Sequence, residues 1–130
     1  MATRQNDLVV VIKAKELCSY IMTITQKSPK QYRFTFVSRL QNLSLDVIES
    51  IYYANEIYIS HGDTKSIDQR LSYQHRAMTS LKLLAYIAEI SMKDGCILFK
   101  QYEQIAKQAS DCQNMLGAWI NSDKKRFHQQ

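Results

Sequence analysis

The residues of this chain that could do chemistry are few and scattered. His61, His75 and His128 stand far apart, and none has a second histidine at the i, i+4 spacing by which a helix offers two ligands to one metal. No Glu-x-x-His motif is present to build a carboxylate-bridged metal pair inside a helical bundle. Cys18, Cys96 and Cys112 form no CxxC pair and read as packing thiols rather than nucleophiles. There is no glycine-rich phosphate loop and no nucleophile elbow. Asp46, Glu49 and Glu56 are spaced by threes and sevens, which suits a solvated helix face or interhelical ion pairs better than an acid/base couple. No catalytic residue, metal ligand or cofactor is therefore assigned, and binding is expected in place of catalysis.

The basic residues carry more information because of where they fall. Lys27, Lys30 and Arg33 surround the first break in the helical pattern, Arg39 follows, Arg70 and Arg76 lie in the first half of the third helical block, and Lys124, Lys125 and Arg126 form a run near the end. In an antiparallel bundle the first break shares a pole with the third, which adds Lys93 and Lys100; the opposite pole takes Arg4, Lys65, Arg70 and the tail. Arginine in place of lysine at 33, 39, 70 and 76 suits planar, bidentate contact with phosphate or carboxylate. The candidate contacts to a phosphate backbone are Lys27, Lys30, Arg33, Arg39, Arg70 and Arg76. The alternative is a set of solvated cations, some of them (Arg39 in particular) paired internally to Asp46 or Glu49. The formal charge of +5 permits an anionic partner without demanding one.

The elements that must position these residues are helices. A chain of 130 residues with Gly 3 and Pro 1 has few means of making tight turns. Breaks at 27–30, 60–64 and 93–95 divide it into four comparable blocks, with connections short enough to join antiparallel neighbours. Apolar residues step by threes and fours within each block. The first gives Val10, Ala14, Leu17, Ile21 and Ile24. The second gives Phe36, Leu40, Leu43, Val47, Ala54 and Ile57, with Ser50 or Ile51 at the missed step. The third gives Leu71, Met78, Leu81, Ala85, Ala88 and Met92, with Gln74 at one step. The fourth gives Phe99, Tyr102, Ala106, Ala109, Leu116 and Ile120, with Cys112 or Gln113 between. The expected architecture is an all-α, antiparallel up-down four-helix bundle in one domain, 1–130, with helices at roughly 6–27, 31–59, 66–93 and 98–122 and a polar basic tail at 123–130.

The apolar pattern is broader than one core needs. From Leu81 to Ile90 only Lys82 and Glu89 are charged, and Ile48, Tyr52, Tyr53, Tyr58 and Ile59 flank the seam of the second helix. Such a surplus implies either burial against another chain or flanking positions that cover the helix–helix edges of a monomer; self-association is the expectation. Gly117 lies inside the last helix, where it costs ~1 kcal/mol against alanine unless another backbone approaches closely. The polar start, Met1 to Asp7, is unlike a secretory leader, and the odd, unclustered cysteines point to a reduced, cytoplasmic compartment.

Two stretches resemble a known family. Pro29-Lys30-Gln31-Tyr32-Arg33-Phe34-Thr35 followed by Arg39-Leu40-Gln41-Asn42-Leu43 is similar to the corresponding stretch of Avd-like four-helix-bundle proteins, the accessory variability determinants of diversity-generating retroelements. Met115-Leu116-Gly117-Ala118-Trp119-Ile120 resembles that family's closing signature. A sister family, encoded in ribosomal RNA intervening sequences, typically carries Asn-Ile-Ala-Glu-Gly on helix two. Tyr53-Ala54-Asn55-Glu56 departs from that pattern, which favours the retroelement branch. The resemblance implies a homopentameric barrel of bundles that binds DNA or RNA without marked sequence preference and associates with the element's reverse transcriptase in mutagenic reverse transcription. It implies no catalytic centre. Tyr32, Arg33, Arg39 and Asn42 match the first motif; Gly117 and Trp119 match the second, as a close-packing position and a core or subunit anchor. The residues expected in packing and subunit contacts are Tyr52, Tyr58, Leu84, Ile87, Gly117 and Trp119. A ring of five would carry about +25, enough for salt-dependent binding of a phosphate backbone. The rival expectation is an oligomeric scaffold whose basic residues dock a protein.

Overall fold

Local caps set several of the helix ends. The computed structural model describes residues 2–60 and 62–128, with side chains described for 9–60 and 62–127. Among these residues it contains four α-helices and no strand: α1 (Ala2–Thr25), α2 (Ser38–Glu56), α3 (Thr64–Lys93) and α4 (Phe99–His128). Asp63 caps α3, its carboxylate accepting the Ser66 N–H at 3.2 Å and the Ser66 hydroxyl at 2.7 Å. These two hydrogen bonds, that from the Ser66 hydroxyl first, hold the Asp63 carboxyl below its ordinary range. At the other end of α3, Gly95 takes a φ of +91°. The Cys96 N–H then reaches back to Ser91 O at 2.8 Å and the Gly95 N–H to Met92 O at 3.1 Å, closing the helix in a Schellman turn. The Gln101 side chain accepts the Leu98 N–H at 2.9 Å and so caps the start of α4.

The segment before α2 is less regular than the expected helix 31–59. Pro29, with no N–H and a fixed φ, is followed by a 3₁₀ turn at Lys30–Tyr32 and a π turn at Arg33–Val37, and regular α-helix starts only at Ser38. Across these turns Phe36 and Val37 face inward while Arg33 and Phe34 face outward. After Glu56 the chain is extended, so α2 also ends earlier than expected. The expected tail at 123–130 is instead helical through His128.

Each helix packs on its neighbour in sequence and α1 closes against α4, giving a cyclic bundle whose short connections make neighbours antiparallel. The seam of α1 is as expected: Val10, Ala14, Leu17, Ile21 and Ile24 are all buried. So is that of α2 at Leu40, Leu43, Val47, Ala54 and both Ser50 and Ile51, with Phe36 and Ile57 half-buried. The seam of α3 is rotated from the expected one. Ile67, Arg70, Gln74, Ala77, Leu81, Leu84, Ala88 and Ser91 are buried, and Leu71, Met78, Ala85 and Met92 lie on its shoulder, half-buried. In α4 the buried line is Ile105, Ala109, Cys112, Leu116, Trp119, Ile120 and Asp123; Phe99, expected inside, is exposed. Burying a leucine such as Leu17, Leu81 or Leu116 contributes about 1.5–3 kcal/mol. Leu84, expected at a subunit contact, is fully inside this core, and Ile87 is packed against it.

Candidate nucleic-acid interface

Arginines at the two ends of the bundle lie in different surroundings: Arg33 and Arg39 are exposed at one end and Arg70 is buried at the other. At the end where α1 turns into α2, two long-range hydrogen bonds fasten that corner to the α3–α4 connection. The Ser28 hydroxyl donates to Cys96 O at 2.8 Å, and the Tyr32 hydroxyl donates to Asp94 O at 2.6 Å. The first and third breaks therefore share a pole, bringing Lys27, Lys30, Arg33, Arg39, Lys93 and Lys100 to one end, all exposed. Lys93 lies 3.9 Å from Glu89, a loose surface pair. Lys27, Lys30, Arg33 and Arg39 have no ion pair among the described residues. The expected internal pairing of Arg39 to Asp46 or Glu49 is absent there, because Arg39 sits in the first turn of α2 and points to solvent. From 17 to 45 the chain contains these four cations and no acidic residue, so the acids at this pole, Glu89 and Asp94, come from the α3 side.

Lys30, Arg33 and Phe34 line a cleft of about 500 Å3 whose floor includes Thr25, Ser28, Ser38 and Gln41. The floor hydroxyls are engaged within the fold. Thr25 donates to Ile21 O at 2.7 Å and accepts from Gln41 Nε2 at 3.0 Å, and Ser38 accepts from Asn42 Nδ2 at 3.2 Å. What the cleft offers a ligand is the pair of cations and an aromatic face, since Phe34 is 86% exposed. Sequence reasoning missed Phe34 as a functional residue. The available signal was an aromatic residue set within a run of cations that lacks acids.

Arg70 requires a correction. Expected at a phosphate, it is 7% exposed and held within the bundle. Its guanidinium makes a two-point contact with Asp123, at 2.7 Å from Nε and 3.1 Å from Nη2, and lies over the Trp119 ring at 5.1 Å. Gln74 Nε2 adds a bond to Asp123 at 2.8 Å, and Arg126 approaches the same carboxylate at 3.8 Å. With its donors turned to Asp123 and its face covered, Arg70 joins α3 to α4 and is closed to outside anions. Arg76 is exposed on the flank of α3, its guanidinium 6.0 Å from the Tyr73 ring. It is seventeen residues before the end of α3, about 25 Å along the axis from the basic pole, so the fold does not bring it to the cluster. Arg4 and His61 lie outside the described side chains, as does the side chain of His128. Lys65, Lys124 and Lys125 are exposed at the Arg70 end.

The motif residues have identifiable jobs. Tyr32 fastens the two loops, Asn42 bonds back to Ser38, and Trp119, 3% exposed, is a core residue. Gly117 departs from its expected role, since a methyl group there would meet nothing within 4 Å. Close helix packing within the chain does not account for it. It adjoins an apolar recess of about 270 Å3 between α1 and α4, lined by Val9, Val10, Met115, Ala118 and Trp119. Tyr52 and Tyr58 are exposed, with the Tyr52 hydroxyl donating to Glu56 at 3.1 Å. All three cysteines are buried and unpaired, and burial pushes the Cys112 thiol up to about 11, which suppresses thiolate chemistry. Among the described residues no group of three or more His, Cys, Asp or Glu side chains is placed to hold a metal ion, and no helix is long and apolar enough to cross a membrane.

Comparison with known proteins places the fold. A crystal structure of a protein of unknown function from the S23 ribosomal protein family of Bacteroides thetaiotaomicron superposes with a TM-score of 0.72 at 17% identity, covering 89% of this chain and 98% of that one. At that identity the likeness is one of helical fold. No protein-family model and no curated protein matches the chain.

Proposed function

We propose that this chain is a non-catalytic accessory protein that binds DNA or RNA without sequence preference. In this reading it acts in the cytoplasm as a homo-oligomer, pentameric by the family resemblance, beside the reverse transcriptase of a diversity-generating retroelement. The observation that carries the reading is the exposed cations Lys27, Lys30, Arg33 and Arg39, which have no ion pair among the described residues, with Lys30 and Arg33 lining an open cleft at the turn between α1 and α2. Cations gathered at one end and not engaged in ion pairs release counterions from a phosphate backbone when they bind it, which supplies sequence-independent affinity. Arg76 is an outlying contact, and Arg70 has no part. Assembly is supported by apolar side chains turned away from the core: Leu83, Tyr86 and Ile90 form one outward line on α3, and Tyr52 and Leu45 another on α2. Three unpaired thiols suit a reducing compartment.

The experiment is binding of labelled RNA and DNA duplexes across a salt series, with the mass of the protein in solution measured alongside. The reading expects micromolar or tighter binding by an oligomer, falling steeply with salt. The outward line on α3 also favours a second reading, a scaffold that docks a protein partner. Salt-tolerant binding to a polymerase, with no affinity for nucleic acid at low salt, would select it.

A further inference from the structure

The feature that nucleic-acid binding by charge leaves unexplained is Phe34. Phe34 and Phe36 lie two residues apart in the same irregular turn, yet their fates differ. Phe36 is half-buried against the core, its ring 5.7 Å from that of Tyr32, whereas Phe34 stands 86% exposed at the rim of the basic cleft. Tyr32, bonded to Asp94 O, fixes the turn, so the outward direction of Phe34 is built into the anchored corner and not into a free loop. The two irregular turns place Lys30 and Arg33 on the same rim. Lysine and arginine supply charge for phosphates, while an exposed ring supplies a flat face for a base. A cleft of about 500 Å3 falls within the ~300–1,000 Å3 of small-ligand sites and has room for a nucleotide unit. In a duplex the faces of the bases are covered by their neighbours, so a ring on the rim can be used only by an unpaired base.

We propose that this cleft seats an unpaired nucleotide of single-stranded DNA or RNA, with the base stacked on Phe34 and the flanking phosphates on Lys30 and Arg33. The inference rests on the nucleic-acid-binding reading and gives it a preference for single strands. Duplex contacts the same pole through Lys27, Lys30, Arg33 and Arg39 alone.

The test compares a labelled single strand with its duplex, on the full chain, for the wild type, Phe34→Ala, Phe34→Tyr and the double variant Lys30→Glu with Arg33→Glu. Phe34 makes no core contact, so its variants fold. Phe34→Ala is expected to weaken single-strand binding roughly tenfold, the size of one lost stack, and to leave duplex binding within about twofold. Phe34→Tyr keeps a ring and restores single-strand affinity. The double charge variant weakens both forms. Unchanged single-strand affinity in Phe34→Ala, or equal losses on strand and duplex, overturns the stacking role while the accessory reading stands. A wild type that binds neither form at low salt overturns both.

Discussion

Arg70 and Arg33 are the same side chain at opposite ends of one bundle. Arg70 lies across Trp119 with two bonds to Asp123; Arg33 stands in water beside Lys30, with no ion pair among the described residues. The difference comes from the elements around them. At the Arg70 end the long helices α3 and α4 run beside each other for their full length and bring a carboxylate to the guanidinium from 53 residues away. At the Arg33 end the helix is broken by Pro29 and two irregular turns, and no acid lies nearby in sequence. A buried arginine that has its carboxylate is a structural joint. An exposed arginine without one remains available to an outside anion.

The contrast gives predictions of decreasing size. Asp123→Ala leaves Arg70 buried without its counter-ion and is expected to cost about 3–5 kcal/mol, read as a drop in the urea midpoint at unchanged slope. Arg33→Ala in the same assay should stay within about 0.5 kcal/mol. Comparable losses in the two variants would erase the distinction between joint and free cation. Next in size is Gly117→Ala. With open space around the new methyl group, it should stabilise the bundle by up to about 1 kcal/mol through helix propensity and leave the mass in solution unchanged. A fall in mass would place a subunit contact at Gly117. The smallest effect concerns Asp63, whose carboxyl is lowered from its ordinary 3.8 by its bonds to Ser66. Its capping contribution is fully present above that ordinary value and is lost as the pH falls through the lower folded value. Asp63→Asn keeps a cap without the titration, so its melting temperature should fall less between neutral and strongly acid solution. Parallel acid limbs for the two proteins would contradict this account of the cap.

How much of this was legible in the sequence varied with the chemistry of each helix. The seam of α1 was plain because its buried positions are apolar up to Thr25, the last residue of the helix. In α3 the buried line includes Arg70, Gln74 and Ser91, and the outward face carries Leu83, Tyr86 and Ile90, so apolar spacing alone pointed to a face rotated from the real one. Residues 123–130 are polar except for Phe127 and read as a tail. The pairing of Asp123 with a distant arginine is what places it inside the bundle, and apolar spacing carries no sign of it. The basic pole was legible from topology, since short connections put the first and third breaks together. The opposite orientations of Phe34 and Phe36 were not, because nothing in their local pattern says which ring the anchored turn will direct inward.

The central claim is that the unpaired cations at the Lys30 end bind nucleic acid, and the most direct measurement is duplex affinity against salt for the wild type and for Lys30→Glu with Arg33→Glu. The account predicts that the double variant keeps its helicity and its mass in solution, loses at least tenfold in affinity, and shows a salt slope shallower by roughly 2, one step for each lost phosphate contact. Unchanged affinity and slope in that variant would contradict the account and leave the basic pole as ordinary solvated surface.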